Sequence, residues 1–253
     1  MFALPSARQS IWQLYQISFK FWKVGFKEYS PLMLICAVVA ALPHFFIPEL
    51  NTFHLHRTFE LFKYRWLFSL FYTVFVVYAF IAILYRIDMI LIEKEGHIGE
   101  ALFVGLKKLP VVILSFLISI IAVLLGFALF VIPGLIVAIL LSMYFVLIIV
   151  DNEGLITAFN HSCDLVRNNW WRTAIILLVP SILYWVIVWL LESHTVKVWI
   201  YKSFFSGGEI WVLHNLSRIV LNIIYFPWFC ALMLLQLNDL KLRNVKPSSE
   251  QDS

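Results

Sequence analysis

The stretch that decides the fold is residues 109–150, LPVVILSFLISIIAVLLGFALFVIPGLIVAILLSMYFVLIIV, in which no residue is charged. A membrane-spanning helix needs about 20 predominantly apolar residues, so this stretch is long enough for two spans. Pro133-Gly134 is its strongest helix-breaking pair, and we expect a tight turn there between antiparallel helices. The sequence therefore predicts a transmembrane hairpin with spans at residues 109–132 and 134–150.

The composition of the whole chain agrees with a membrane protein. Of its 253 residues, 62% are hydrophobic and 13% are charged, whereas soluble domains have about 25% charged residues. A soluble globular domain and a disordered chain are therefore excluded. Counting the hairpin, six segments have spanning length, and the other four lie at residues 31–48, 66–92, 172–191 and 216–237.

These segments predict an all-α fold, a polytopic transmembrane helical bundle of about six spans. We expect a single membrane domain over residues 1–245 and a disordered polar tail at residues 246–253. Twelve Lys and Arg residues fall on the side of the termini and five on the opposite side. The positive-inside rule then places both termini in the cytoplasm.

Three amphipathic stretches, at residues 8–28, 98–108 and 155–169, precede spans on the predicted cytoplasmic side. We expect each to form a separate interfacial helix. Their recurrence is compatible with a triplicated unit of interfacial helix and hairpin, or with ordinary topology constraints.

The first amphipathic stretch has a basic face formed by Lys20, Lys23 and Lys27 at helical spacing. The opposite apolar stripe is predicted to consist of Ile11, Tyr15, Phe19, Trp22 and Phe26. Such a helix suits the headgroup region, and its lysines favour anionic lipid. Alternatively, the helix packs on the bundle and its lysines snorkel towards water.

Four further residues are candidate contacts for lipid headgroups. Trp170, Trp171 and Arg172 combine indole rings with a cation, which is typical of a membrane interface. Arg86 lies near the cytoplasmic end of the second predicted span. It either snorkels or pairs with a carboxylate such as Glu93, or it binds a lipid phosphate or a solute.

The motifs of nucleophilic catalysis, zinc proteases and phosphate-binding loops are missing from the sequence. His54 and His56 lie near each other but lack a third local histidine or cysteine for a zinc site. Asp151 and Glu153 are interpreted as acids that cap the third amphipathic helix. We therefore expect no catalytic residue, cofactor or metal, and the net charge of +4 gives no footprint for nucleic acid.

One part of the chain is similar to a known family. Residues 131–140 (VIPGLIVAIL), the acidic turn at 151–154, and then Ala158, Ser162, Leu165 and Trp171 resemble the YciC-like bacterial inner-membrane proteins. The same residues are similar to the membrane domain attached to some glycerophosphodiester phosphodiesterases. The resemblance implies a multi-pass protein of the bacterial inner membrane and supplies no catalytic residues, because the phosphodiesterase activity belongs to a separate soluble barrel.

The leading hypothesis from these observations is a non-enzymatic membrane protein that organises lipids or supports envelope integrity, with membrane lipids as its partners. The alternative is a transporter or flippase-like permease for a lipid or a small apolar solute. A polar cavity reaching Arg86, Asn222 or Glu192 would favour transport, whereas a closely packed bundle would favour a scaffold.

Overall fold

The structure is a computed structural model that describes residues 4–46, 58–92, 96–193 and 210–244. Within these ranges the regular secondary-structure elements are all α-helices, which confirms the all-α prediction. The helices in chain order are α1 (Ile11–Phe46), α2 (Thr58–Leu91), α3 (Ile98–Leu129), α4 (Val131–Leu140), α5 (Tyr144–Val150), α6 (Leu155–Arg167), α7 (Trp170–Glu192) and α8 (Ile210–Asn244).

Five segments in the described ranges are long and apolar enough to cross a membrane, so the chain is a multi-pass membrane protein. They are Leu70–Leu91, Ile98–Leu129, Val131–Val150, Trp170–Leu191 and Ile219–Asn244. The span predicted at residues 31–48 extends past the described part of α1 and stays a prediction. The predicted tail at 246–253, His54, His56 and Glu93 also lie outside the described residues.

The first two amphipathic stretches are not separate helices, contrary to the prediction. Helix α1 begins at Ile11 and runs through Pro31 to Phe46 without a break, and residues 98–108 are the first part of α3, which passes through Pro110. A proline removes one backbone hydrogen bond, and a helix surrounded by protein and lipid keeps the rest. The third stretch does form its own helix, α6, which ends at Arg167 before α7 begins.

Helix α7 also continues through a proline, Pro180. This residue cannot donate to the carbonyl oxygen of Ile176 four positions earlier. The hydroxyl of Tyr15 on α1 donates to the carbonyl oxygens of Ile175 and Ile176, at 3.0 and 3.2 Å. The site of the missing bond is therefore a point at which α1 is attached to α7.

The hairpin turn lies at Phe130, not at Pro133-Gly134 as predicted. Phe130 has an extended backbone (φ −165°, ψ 163°) and separates α3 from α4. Pro133 falls in the first turn of α4, where the amide hydrogens have no helical acceptor and a proline is tolerated. The predicted break at Pro133-Gly134 is therefore wrong by three residues.

Gly134 brings the two helices of the hairpin together. A Cβ added to Gly126 would lie 2.8 Å from the Cα of Gly134, and a Cβ added to Gly134 would lie 2.5 Å from the ring of Phe127. Both distances are shorter than van der Waals contact, so only glycines allow this approach. At the other end of the hairpin, Lys108 donates to the carbonyl oxygens of Ile148 and Ile149 at 2.9 and 2.7 Å.

A buried polar cluster joins the two ends of the described chain. The carboxylate of Asp239, with 1% of its side chain exposed, pairs with Arg172 at 2.9 Å and with Arg243 at 2.7 Å. It also accepts the backbone N–H of Gln9 at 2.7 Å, and both guanidinium groups donate to the Gln9 carbonyl oxygen at 2.7 Å. The beginning of α1, the beginning of α7 and the end of α8 therefore meet at one end of the bundle.

We expect Gly126→Ala to lower the free energy of unfolding by about 1–3 kcal/mol, because overpacking a tight contact forces the helices apart. Thermal unfolding in detergent measures the effect. Gly99→Ala on the same helix is the control, because a Cβ there meets no atom within 4 Å. Equal unfolding midpoints for the two variants would contradict the close approach of α3 and α4.

We expect Asp239→Asn to cost about 3–5 kcal/mol of unfolding free energy, since it leaves two partly buried guanidinium groups without their carboxylate. The matched control is Asp151→Asn. The pair between Asp151 and Lys241 is 2.6 Å long but more exposed, and such pairs contribute at most about 1 kcal/mol. Denaturation in mild detergent compares the two variants, and a small loss in Asp239→Asn would show that the cluster does not hold the bundle together.

Candidate functional site

The candidate site is built around an interrupted helix. Helix α4 ends at Leu140 and α5 begins at Tyr144, with a turn at residues 141–143 between them. The fully buried Ser162 of α6 bridges this turn: its hydroxyl donates to the Leu140 carbonyl oxygen at 2.7 Å and accepts from the Met143 N–H at 3.2 Å. Helix α6 thereby satisfies backbone groups that the interruption frees, as the interior of a membrane protein requires.

A cavity of about 640 Å³ lies beside the interruption, within the size range of ligand pockets. Residues of α2, α3, α4, α5 and α8 and of the turn between α4 and α5 line it. Its lining residues are Val76, Val77, Phe80, Val112, Phe116, Ser119, Ile120, Val123, Leu124, Phe127, Ala138, Leu141, Ser142, Tyr144, Phe145 and Phe226.

The surface of this cavity is almost entirely apolar, and no lining residue carries a charge. The hydroxyl groups of Ser119 and Tyr144 hydrogen-bond to each other at 3.1 Å. The Ser142 hydroxyl is buried and has no hydrogen-bond partner within the described part of the chain. The cavity can therefore accept apolar groups, and an inserted charge would find no partner in its wall.

The exposed face of α1 contains the predicted lysines. Lys20, Lys23 and Lys27 are exposed, and no carboxylate in the described ranges forms an ion pair with them. The predicted apolar stripe is displaced, because the buried residues of this part of α1 are Leu14, Ser18, Phe21, Gly25 and Tyr29. Trp12, Phe19 and Phe26 are exposed and lie beside the lysines on the face opposite the core. Basic and aromatic side chains therefore share one exposed surface, which we call the basic-aromatic face.

The predicted anchor at residues 170–172 is divided between two environments. Trp170 and Trp171 stack with ring centroids 4.1 Å apart, and Trp171 is 67% exposed. Arg172 is instead bound to Asp239 in the buried cluster. The sequence analysis missed this pairing because the two residues are far apart in sequence. The signal that could have indicated it is Asp239 itself, an acid near the end of a long apolar segment.

Arg86 lies at the end of α2, where its guanidinium donates to the carbonyl oxygen of Gly96. Its Nε is buried and has no partner among the residues that the structure describes. The pairing with Glu93 stays a prediction, since Glu93 is outside the described residues. Arg86 is not among the residues that line the cavity.

The acids that precede α6 do not cap it. The N-cap residue is Gly154, without a side-chain hydrogen bond. Asp151 pairs with Lys241 and Glu153 pairs with His161, each at 2.6 Å. The capping interpretation is therefore wrong: Asp151 is bound to Lys241 of α8, and Glu153 is bound to a side chain of α6 and not to its first backbone N–H groups. In the described ranges, no group of three or more His, Cys, Asp and Glu residues could hold a metal ion.

We expect Ser162→Ala to lower the unfolding midpoint and to speed hydrogen exchange at the Met143 amide, which loses its acceptor. A buried polar group left unpaired costs about 1–3 kcal/mol. Cys163→Ala on the same helix is the matched control; burial, with a contribution from Asp164, raises the pKa of this thiol, so the change removes a neutral group. Unchanged exchange at Met143 in Ser162→Ala would contradict the bridging role of Ser162.

Comparison with protein families matches residues 34–230 to the description "Domain of unknown function (DUF7847)". Comparisons with curated proteins and with solved structures find no match. The matched range includes every residue that lines the cavity, whereas the three lysines of α1 and the Asp239 cluster lie partly or wholly outside it. The resemblance to YciC-like proteins stays a prediction. Since the match covers most of the chain, this protein belongs to the family described as Domain of unknown function (DUF7847).

Proposed function

We propose that the chain is a non-enzymatic multi-pass protein of the bacterial inner membrane that organises membrane lipids and thereby supports envelope integrity. The observation that carries this proposal is the basic-aromatic face of α1. Lys20, Lys23 and Lys27 are exposed there beside exposed aromatic side chains such as Trp12 and Phe19.

This combination of side chains fits the headgroup region better than water or hydrocarbon. Aromatic rings facing water lose the gain from apolar burial, and lysines facing lipid tails pay for desolvation. At the headgroup level both are accommodated, and each lysine near an anionic surface contributes about 1 kcal/mol of binding free energy. Anionic headgroups are therefore the partners that we propose for this face.

The proposed orientation places both termini in the cytoplasm. It is supported by the twelve Lys and Arg residues on the terminal side against five on the other. It is also supported by the contact between Gln9 and Asp239, which brings the two ends of the described chain to the same end of the bundle. The basic-aromatic face would then meet the cytoplasmic leaflet, which carries anionic lipid.

A permease for an apolar molecule is the second candidate, and the interruption between α4 and α5 is the observation that favours it. Broken helices next to a cavity form the binding sites of many transporters. The cavity is apolar, however, and neither Arg86 nor Asn222 lines it. Asn222 accepts a hydrogen bond from Tyr184 at 2.8 Å, and the Glu192 side chain is outside the described part. A cargo would therefore have to be uncharged where it enters the cavity.

The proposal is tested by quantitative lipid mass spectrometry of separated membranes from cells with and without the gene. We expect an altered lipid composition or distribution that the wild-type gene restores. An unchanged lipid profile would contradict the lipid role. A flipping assay in reconstituted vesicles distinguishes the permease, which moves labelled lipid between leaflets, from an organising protein, which does not.

We expect replacement of Lys20, Lys23 and Lys27 by Glu to remove the preference of α1 for anionic lipid, since the electrostatic attraction becomes repulsion. Hydrogen exchange of residues 12–28 in lipid nanodiscs measures the effect. The wild-type protein should be better protected with phosphatidylglycerol than with phosphatidylcholine alone, and the variant should not. The phosphatidylcholine discs are the control for folding, and equal protection of the wild type in both lipids would contradict the proposed headgroup contact.

A further inference from the structure

We propose that the cavity beside the interrupted helix is a binding site for an alkyl chain of a membrane lipid. This inference deepens the proposed lipid function and rests on it. It uses different residues from the basic-aromatic face, so the two can fail separately.

The extent of the cavity lining along α3 fits an extended chain. Its lining on α3 runs from Val112 to Phe127, which corresponds to a length of about 22 Å at the helical rise per residue. The cavity volume is about 640 Å³. One alkyl chain has a cross-section of roughly 20 Å², because non-bonded carbon atoms approach to about 4 Å, and it fits a cavity of this volume and length.

The chemistry of the wall selects an uncharged, apolar occupant. Six aromatic rings line the cavity, from Phe80, Phe116, Phe127, Tyr144, Phe145 and Phe226. The hydroxyl groups of Ser119 and Tyr144 hydrogen-bond to each other, and so they need no ligand. The Ser142 hydroxyl has no partner in the described part of the chain, but it is uncharged and offers no site for an ion. Apolar cavities of this kind exclude water and bind apolar molecules.

The cavity is within reach of the lipid hydrocarbon. Several of its lining residues on α3 are also exposed, namely Phe116, Ile120, Leu124 and Phe127. The segment that carries them is a candidate membrane span. A lipid tail can therefore enter from the side while the headgroup stays at the interface, with no charge crossing the apolar core.

The length of the cavity lining also distinguishes this site from the surface that surrounding lipids contact. Its length of about 22 Å exceeds the roughly 15 Å that half of the hydrocarbon core provides. A chain that follows this lining along α3 reaches past the middle of the bilayer. A long chain should therefore bind better than a short one, which is not expected for lipids that only surround the protein.

The inference is tested with the purified full-length protein in detergent and a phosphatidylcholine that carries a photoactivatable diazirine in one acyl chain. After irradiation, mass spectrometry of the digested protein locates the labelled residues. We expect label on residues that line the cavity, such as Val123 and Ala138, in addition to outward residues such as Leu117 and Leu125. Label confined to the outward residues would overturn the proposal.

A pair of substitutions gives the matched comparison. Ala138→Phe fills the cavity, and we expect the label on Val123 to be lost. Ala128→Phe adds the same ring on the exposed side of α3 and should leave that label unchanged. Thermal unfolding checks that both variants fold. If Ala138→Phe does not fold, the wild-type protein still decides the outcome, because label on cavity-lining residues is compared with label on outward residues.

Competition identifies the source of the chain. Unlabelled phosphatidylcholine that abolishes the label on Val123 indicates a tail of a phospholipid, and competition by palmitate alone indicates a free fatty acid. If a fatty acid of two to six carbons competed as well as palmitate, the requirement for a long chain would be contradicted. If the cavity stays unlabelled while deletion of the gene alters the lipid profile, this inference fails and the proposed function stands.

Discussion

Inside a bilayer, each backbone N–H and C=O group has to find its partner within the protein, and the organisation of this bundle depends on that constraint. The interruption between α4 and α5 is bridged by Ser162, and the carbonyl that Pro180 leaves free is bound by Tyr15. The end of α5 is bound by Lys108. At these three places a backbone group that its own helix leaves without a partner is therefore an attachment point for another helix.

The hairpin of α3 with α4 and α5 shows how these contacts create a cavity. Gly126 and Gly134 hold one end of the hairpin at backbone contact, and Lys108 holds the other end. Between the two ends, the turn at residues 141–143 interrupts the second helix, and the space beside it is lined by apolar side chains. The same turn that needs Ser162 thus forms part of the wall of the proposed lipid site.

The two surfaces that we propose for lipid differ in position and chemistry. The basic-aromatic face of α1 offers charge and exposed rings, and the cavity offers an apolar volume between helices. The family match covers the whole cavity and starts at residue 34, after the lysines of α1. The cavity is therefore the feature that falls inside the family domain, and the lysine face belongs to the segment that precedes it.

The sequence by itself determined the all-α class and the position of the long apolar helices, because membrane spans are set by local apolar length, which needs no knowledge of neighbours. It also identified Lys20, Lys23 and Lys27 as exposed, since helical spacing separates a polar face from an apolar one. Tertiary structure decided the rest. The hairpin turn lies at Phe130 and not at Pro133-Gly134. Arg172 binds Asp239 and does not lie free at the predicted interface. The cavity is lined by helices that are far apart in the chain. Such features depend on which backbone groups and charges find partners across the fold, and a linear pattern does not contain that information.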